Sequence, residues 1–156
     1  MEPILEIEHL SIYFTQYDRG IRRRQLPVIR DLFLRIFPGQ VTAVVGASGS
    51  GKSLLAHAIL GILPYNSHMD GVIRYDGEEL TGKRVERLRG REISLIPQGV
   101  NYLDPLMKVG PQIRKGCKGA EIREKCARAL NRYGLGNETE EMYPFELSGG
   151  MARRVL

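Results

Sequence analysis

The run Gly46-Ala47-Ser48-Gly49-Ser50-Gly51-Lys52-Ser53 satisfies every fixed position of the pattern G-x-x-x-x-G-K-[ST]. No other stretch constrains the fold as tightly, because the pattern must join a strand to a helix for its chemistry to work. Val41-Thr42-Ala43-Val44-Val45 stands before it as a nearly unbroken apolar run, which predicts a short buried parallel strand. After it, Leu54, Leu55, Ala58, Ile59 and Ile62 recur at helical spacing and Pro64 closes the segment. Strand, glycine loop and helix are therefore expected in that order.

Each fixed residue has a chemical reason. The three glycines let the backbone turn tightly and approach a phosphate, so that successive N–H groups point into one anion-binding hollow at a helix N-terminus. Lys52 is placed to reach β- and γ-phosphate oxygens, and the Ser53 hydroxyl to bind Mg²⁺. A chance glycine-rich turn is the alternative, and the flanking strand and helix signals argue against it.

With 156 residues, 42% of them hydrophobic and 26% charged, the chain has material for a core and is not compositionally disordered. No apolar run approaches the ~20 residues of a membrane span. The opening Met1-Glu2-Pro3-Ile4-Leu5-Glu6 lacks the basic and apolar regions of a secretion signal, so a cytoplasmic protein is expected. Cys117 and Cys126 show no metal-ligand spacing; Cys126 falls on an apolar helical stripe and is expected in a core. A net charge of +5 permits an acidic partner without choosing one. The densest basic stretch, Arg19 to Arg24, reads either as a solvated hairpin loop or as a contact for an anionic surface.

Along the chain, Ile4 to Glu8 alternates weakly, and Leu10, Ile12 and Phe14 then share one face of a second extended stretch. Val28 to Phe37 forms another strand region, so the N-terminal part reads as antiparallel sheet. Gly71 to Tyr75 alternates into an Asp76-Gly77 turn that returns towards Leu80. Thr81 to Gly90 suits a short surface helix, and Arg91 to Gln98 a core strand. Gly99 to Gly116 carries loop signals, and Ile122, Cys126, Ala129, Leu130 and Tyr133 mark an amphipathic helix that Gly134 stops. The paired acids Glu78-Glu79 and Glu140-Glu141 read as solvated surface.

Leu147-Ser148-Gly149-Gly150-Met151 is a second constellation, which taken alone is no more than a helix N-cap. Following a phosphate loop, it resembles the signature of the ATP-binding cassette family. Gln98 at the end of a predicted strand matches that family's Q-loop, and Phe14 matches the aromatic that stacks on adenine. Tyr13, one residue away and on the opposite strand face, is the alternative for that role. Within the family the chain looks most like the ATPase subunits of dipeptide, oligopeptide and nickel importers, on Leu60-Gly61-Ile62-Leu63-Pro64, Leu88 to Ile93, Asp104-Pro105 and Val109-Gly110. It departs from that group at Ala47, Pro97 and Gly99-Val100.

The resemblance implies an α/β P-loop NTPase core with an N-terminal antiparallel β subdomain and a helical signature subdomain, incomplete at the C-terminus. Residues 1–98 would form the nucleotide-binding core and 99–156 the helical part. It implies ATP and Mg²⁺ as cofactors. Phe14, Gly46, Ser48, Gly49, Ser50, Gly51, Lys52, Ser53 and Leu54 would hold ATP from one side. Ser148, Gly149 and Gly150 would close over the ATP of a second ATP-binding subunit, in a homo- or heterodimer. Lys52 and Gln98 would act in catalysis, Ser53 and Gln98 at the metal. Membrane permease subunits and, indirectly, an extracytoplasmic solute-binding protein are the further partners implied, at the cytoplasmic face of the membrane.

In the family an apolar strand ending in Asp-Glu, supplying the catalytic glutamate, and a later His follow the signature; none stands within these residues, which end at Leu156. The chain is therefore expected to be the N-terminal part of an ATPase and inactive alone. Two other readings stay open: a nucleotide-binding module that does not hydrolyse, and a soluble cassette ATPase acting on nucleic acid. No base-stacking pattern supports the last, so nucleic acid is not expected as a partner.

Overall fold

The apolar alternation that buries Leu5 and Ile7 changes parity at Leu10 and Ile12, and the backbone shows why. In the computed structural model, which describes residues 2–18 and 22–156 without the side chains of 17, 18 and 22, both stretches belong to one strand, β1 (Leu5–Asp18). It pairs antiparallel with β2 (Arg22–Ile36) on one edge and β3 (Ser67–Tyr75) on the other, and the two-residue β4 (Glu78–Glu79) extends the order to β2-β1-β3-β4. The register slips on both sides of β1 after Ile7 and Glu8. Such a bulge adds one residue and returns the next side chains to the buried face.

The bulge is built from three strands. His9 on β1 and Asp31 on β2 both take positive φ, 52° and 48°, and His9 Nδ1 lies 2.7 Å from Asp31 Oδ1. The Asp31 N–H donates to Ser11 Oγ at 3.0 Å. On β3, Gly71 has φ +99° and sits so close to the His9 carbonyl that any Cβ would collide with it. Only glycine meets both conditions.

One face of this sheet receives α1 (Lys52–Ile59), whose Leu55 and Ala58 pack with Leu5, Ile7, Leu10, Ile12, Ile29 and Ile73. Burying side chains of this size contributes about 1.5–3 kcal/mol each. The Asp76-Gly77 turn and α2 (Gly82–Leu88) form where the residue pattern placed them.

Two expected strands do not form. Val41 to Val45 has no ladder partner among the described residues, and Val41 and Val45 are 100% and 89% exposed. Arg91 to Gln98 carries only an isolated parallel bridge, Arg89 with Ile93. A parallel strand draws its hydrogen bonds from neighbours distant in sequence, so an apolar run alone does not create one. In the basic stretch, the last ladder pair is Asp18 with Arg22, and Arg22 to Arg24 belong to β2 rather than to a loop. The readings for Arg19, Gly20 and Ile21 lie outside the described residues.

The chain divides into two units, Met1–Leu95 and Ile96–Leu156. The second is helical: α3 (Val109–Ile113), α4 (Ala120–Arg132) and α5 (Gly149–Val155), with 3₁₀ turns at Val100–Tyr102, Asn137–Glu141 and Pro144–Glu146. Cys126, Leu130 and Leu135 form its core with Ile113, Met151 and Val155 around them. Part of the expected loop from Gly99 to Gly116 is thus helix. Glu140 is not solvated surface either: it pairs with Arg114, the two side chains being 13% and 14% exposed. Its neighbour Glu141 remains exposed and pairs with Lys108 at 2.8 Å. Nothing in a Glu-Glu dipeptide distinguishes the two; a partner 26 residues away does.

Candidate nucleotide site

Gly51 opens α1 with φ +90°, and the Leu55 N–H donates to its carbonyl at 2.9 Å. A side chain here would be strained by the positive φ and crowded, because a Cβ would lie 3.0 Å from both Ile29 and Val28 on β2. The sheet therefore sets where the glycine loop meets the helix. Ahead of it, Ser50 N–H donates to the Ala47 carbonyl at 3.2 Å, and a Cβ on Gly46 would stand 2.6 Å from Ser50 Oγ. The loop is thus a tight turn at both ends.

Lys52 folds back into this turn. Its Nζ donates to the carbonyls of Gly46 at 2.8 Å and Ala47 at 2.6 Å, and to Ser50 Oγ at 3.3 Å. The lysine head group is thereby held by the backbone of the turn at the head of a helix, where the helix dipole favours a bound negative charge. An open cleft of about 300 Å³ adjoins it, lined by Ile29, Gly46, Ser50, Gly51 and Lys52 among others. Ser53 is exposed in the first turn of α1, whereas the Leu54 side chain packs on the core. Ser48 and Gly49 lie at the exposed tip.

Phe14 lies on β1 in step with Leu10 and Ile12, so it shares the sheet face on which α1 packs. Tyr13 takes the other face and stacks on His68, with ring centroids 5.2 Å apart and an interplanar angle of 21°. That contact commits Tyr13 away from the loop side.

In the second unit, Gln98 is exposed and follows a stretch without ladder pairing. Ser148 caps α5, its Oγ accepting from the Met151 N–H at 3.2 Å, and Gly149 and Gly150 form the exposed first turn. A role that residue patterns did not reveal belongs to Arg154. Its Nη1 donates to the carbonyls of Tyr133 and Gly134 at 3.1 and 3.3 Å, and its Nε to Gly150 at 3.2 Å. One guanidinium thus satisfies carbonyls past the end of α4 while holding the first turn of α5. Phe14 and the Gly46 to Leu54 segment belong to the first unit; Gln98 and Ser148 to Gly150 belong to the second.

Comparison with known proteins gives this geometry a context. The chain is 31% identical to the oligopeptide transport ATP-binding protein AppD of Bacillus subtilis over 170 residues, covering all of this chain and 50% of that protein. It is 34% identical to OppD of Mycobacterium bovis over 172 residues, covering all of this chain and 27% of that protein. It spans half or less of the length of these curated relatives. Among solved structures, the dimeric bacterial ABC transporter cassette MJ0796 superposes with a TM-score of 0.76 at 21% identity, covering 97% of this chain and 66% of that one. The same cassette bound to ADP and Pi gives 0.70 at 19% identity, covering 97% and 68%. These likenesses carry the fold, an α/β P-loop cassette. The ABC transporter family profile matches residues 29–156, and the chain belongs to that family.

Proposed function

We propose that this chain is the ATP-binding part of a subunit that couples ATP binding and hydrolysis to import of a small solute, of the peptide class, through a membrane permease. The observation that carries the reading is Lys52 held by the Gly46 and Ala47 carbonyls at the head of α1, in a chain whose relatives are named as oligopeptide transport proteins. A nickel substrate has only the sequence resemblance behind it. Peripheral attachment at the cytoplasmic face of the membrane accords with the described helices, none of which is long and apolar enough to cross one.

The loop's chemistry fits a polyphosphate. Gly46, Gly49 and Gly51 put no side chain over the turn, Ser48 and Ser50 add hydroxyls, and Lys52 neutralises charge. Among the described residues no group of three or more His, Cys, Asp or Glu could hold a metal. Mg²⁺ keeps few protein ligands and shares substrate phosphate oxygens, so a single hydroxyl such as that of Ser53 is a sufficient contribution from the glycine loop. When bound, the ion offsets negative charge on the phosphates. Phe14 stacks the base, and Ser148, Gly149 and Gly150 serve the nucleotide of a second cassette.

Binding and turnover separate in these 156 residues. Holding a nucleotide needs the loop alone, whereas hydrolysis also needs a carboxylate that polarises water, and among the described residues lining the cleft at Lys52 there is no Asp or Glu. Calorimetry with ATP and Mg²⁺ should show binding by the wild-type chain, at least tenfold weaker binding by Lys52→Ala, and no phosphate release by either. Equal ATP affinity in a folded Lys52→Ala chain would remove the site.

A further inference from the structure

Beyond Phe14, the sheet face that carries α1 continues into a two-stranded ribbon. The ladder of β3 on β1 ends at Phe14, opposite Ser67, with one further backbone bond from the Thr15 N–H to the Asn66 carbonyl at 3.0 Å, while β1 and β2 run on together to Asp18 and Arg22. Directly across from Phe14 on β2 is Leu26, and the next pair on the same face is Gln16 with Arg24. Cross-strand partners share a face, and diagonal neighbours lie within reach of long side chains. Phe14, Leu26 and Arg24 therefore form one contiguous patch.

Two of its three members are apolar, and neither is fully covered. Leu26 is 46% exposed and Arg24 is exposed, and Phe14 is only half-buried, although Ile12 two residues earlier is completely buried. Ile12 belongs to the core that α1 covers, together with Ile29 and Leu55, and the glycine loop meets the sheet at Ile29 through Gly51. On the far side of Phe14 the Ser67 hydroxyl is committed, donating to the Pro64 carbonyl at 2.6 Å.

We propose that Leu26 and Arg24 complete the base-binding platform begun by Phe14, Leu26 widening the apolar floor under the purine and the planar Arg24 guanidinium lying along its outer edge. A guanidinium suits that place because it stays charged, stacks on π-systems and donates to ring nitrogens in its own plane. The inference rests on the reading of Phe14 as the stacking residue. It adds two residues that determine how tightly the base, rather than the triphosphate, is held.

The test compares ATP with inorganic tripolyphosphate, which shares the phosphates and lacks the base, by calorimetry on the full chain with Mg²⁺ present. Leu26→Ser and Arg24→Ala should each weaken ATP about threefold and leave tripolyphosphate unchanged. Arg24→Lys keeps the charge and loses the plane, and should behave like Arg24→Ala. Both positions are exposed, so far-UV circular dichroism should stay that of the wild type. Unchanged ATP affinity in Leu26→Ser and Arg24→Ala overturns the proposal, as does an equal loss of both ligands or full rescue by Arg24→Lys, which would reduce Arg24 to a remote charge. Phe14→Ala is the control for the underlying reading: if it leaves ATP affinity intact, the stacking assignment fails, whatever Arg24 does.

Discussion

Ile29 determines what Gly51 can be: the β2 side chain lies 3.0 Å from where a Cβ on Gly51 would stand, and Gly51 itself takes φ +90°. A glycine that the motif requires for phosphate approach is thus also required by packing between the sheet and α1. Gly51→Ala should cost about 1–3 kcal/mol in urea unfolding, from positive-φ strain together with a contact that cannot relax freely. Wild-type stability in that variant would contradict the packing role.

The Arg114–Glu140 pair should behave as a part-buried ion pair. Gly110 makes room for it, since a Cβ there would come within 2.9 Å of Arg114 Nη1, the Glu140 carbonyl and Glu140 Oε2. Glu140→Ala leaves the part-buried guanidinium unpaired, at a cost of about 1–3 kcal/mol. Replacing both residues by leucine should recover most of that loss in the same denaturation experiment. A double variant no more stable than Glu140→Ala would mean the pair is needed for more than charge balance.

Glu8 offers a pH prediction. The hydrogen bond from Arg74, and then the charge of the same guanidinium, hold its carboxyl below the ordinary glutamate range. A depressed folded pKa contributes stability above the unfolded value, which is lost as pH falls through the folded one. The group is exposed, so the effect on stability is small and salt-sensitive. Carboxyl NMR should place the Glu8 midpoint below that of an unpaired glutamate, and Arg74→Ala should restore it.

The two thiols should differ in reactivity. Cys117 is exposed, whereas burial pushes the Cys126 thiol up, with the Arg114 charge opposing weakly. Thiolate is the reacting form, so an aromatic disulfide reagent should label one thiol quickly and the other only as the helical unit opens. Cys117→Ser should abolish the fast phase; a persistent fast phase would place Cys126 at the surface.

Local pattern determined a good deal of this protein. The glycine run, the helix after it, the amphipathic α4 and its Gly134 stop, and the antiparallel start were all legible, because turn chemistry and helical period act within a few residues. Ile4 to Glu8 and the stretch through Leu10, Ile12 and Phe14 read as two extended pieces, and that one bulged strand joins them appears only when β1 meets β2 and β3. What depended on distant partners was beyond reach of residue pattern. Val41 to Val45 has strand composition and no strand, Glu140 has surface composition and a buried partner, and Tyr13 and Phe14 differ only in which face of β1 each occupies. In each case the deciding interaction joins residues far apart in sequence, and only the folded chain specifies which of them meet.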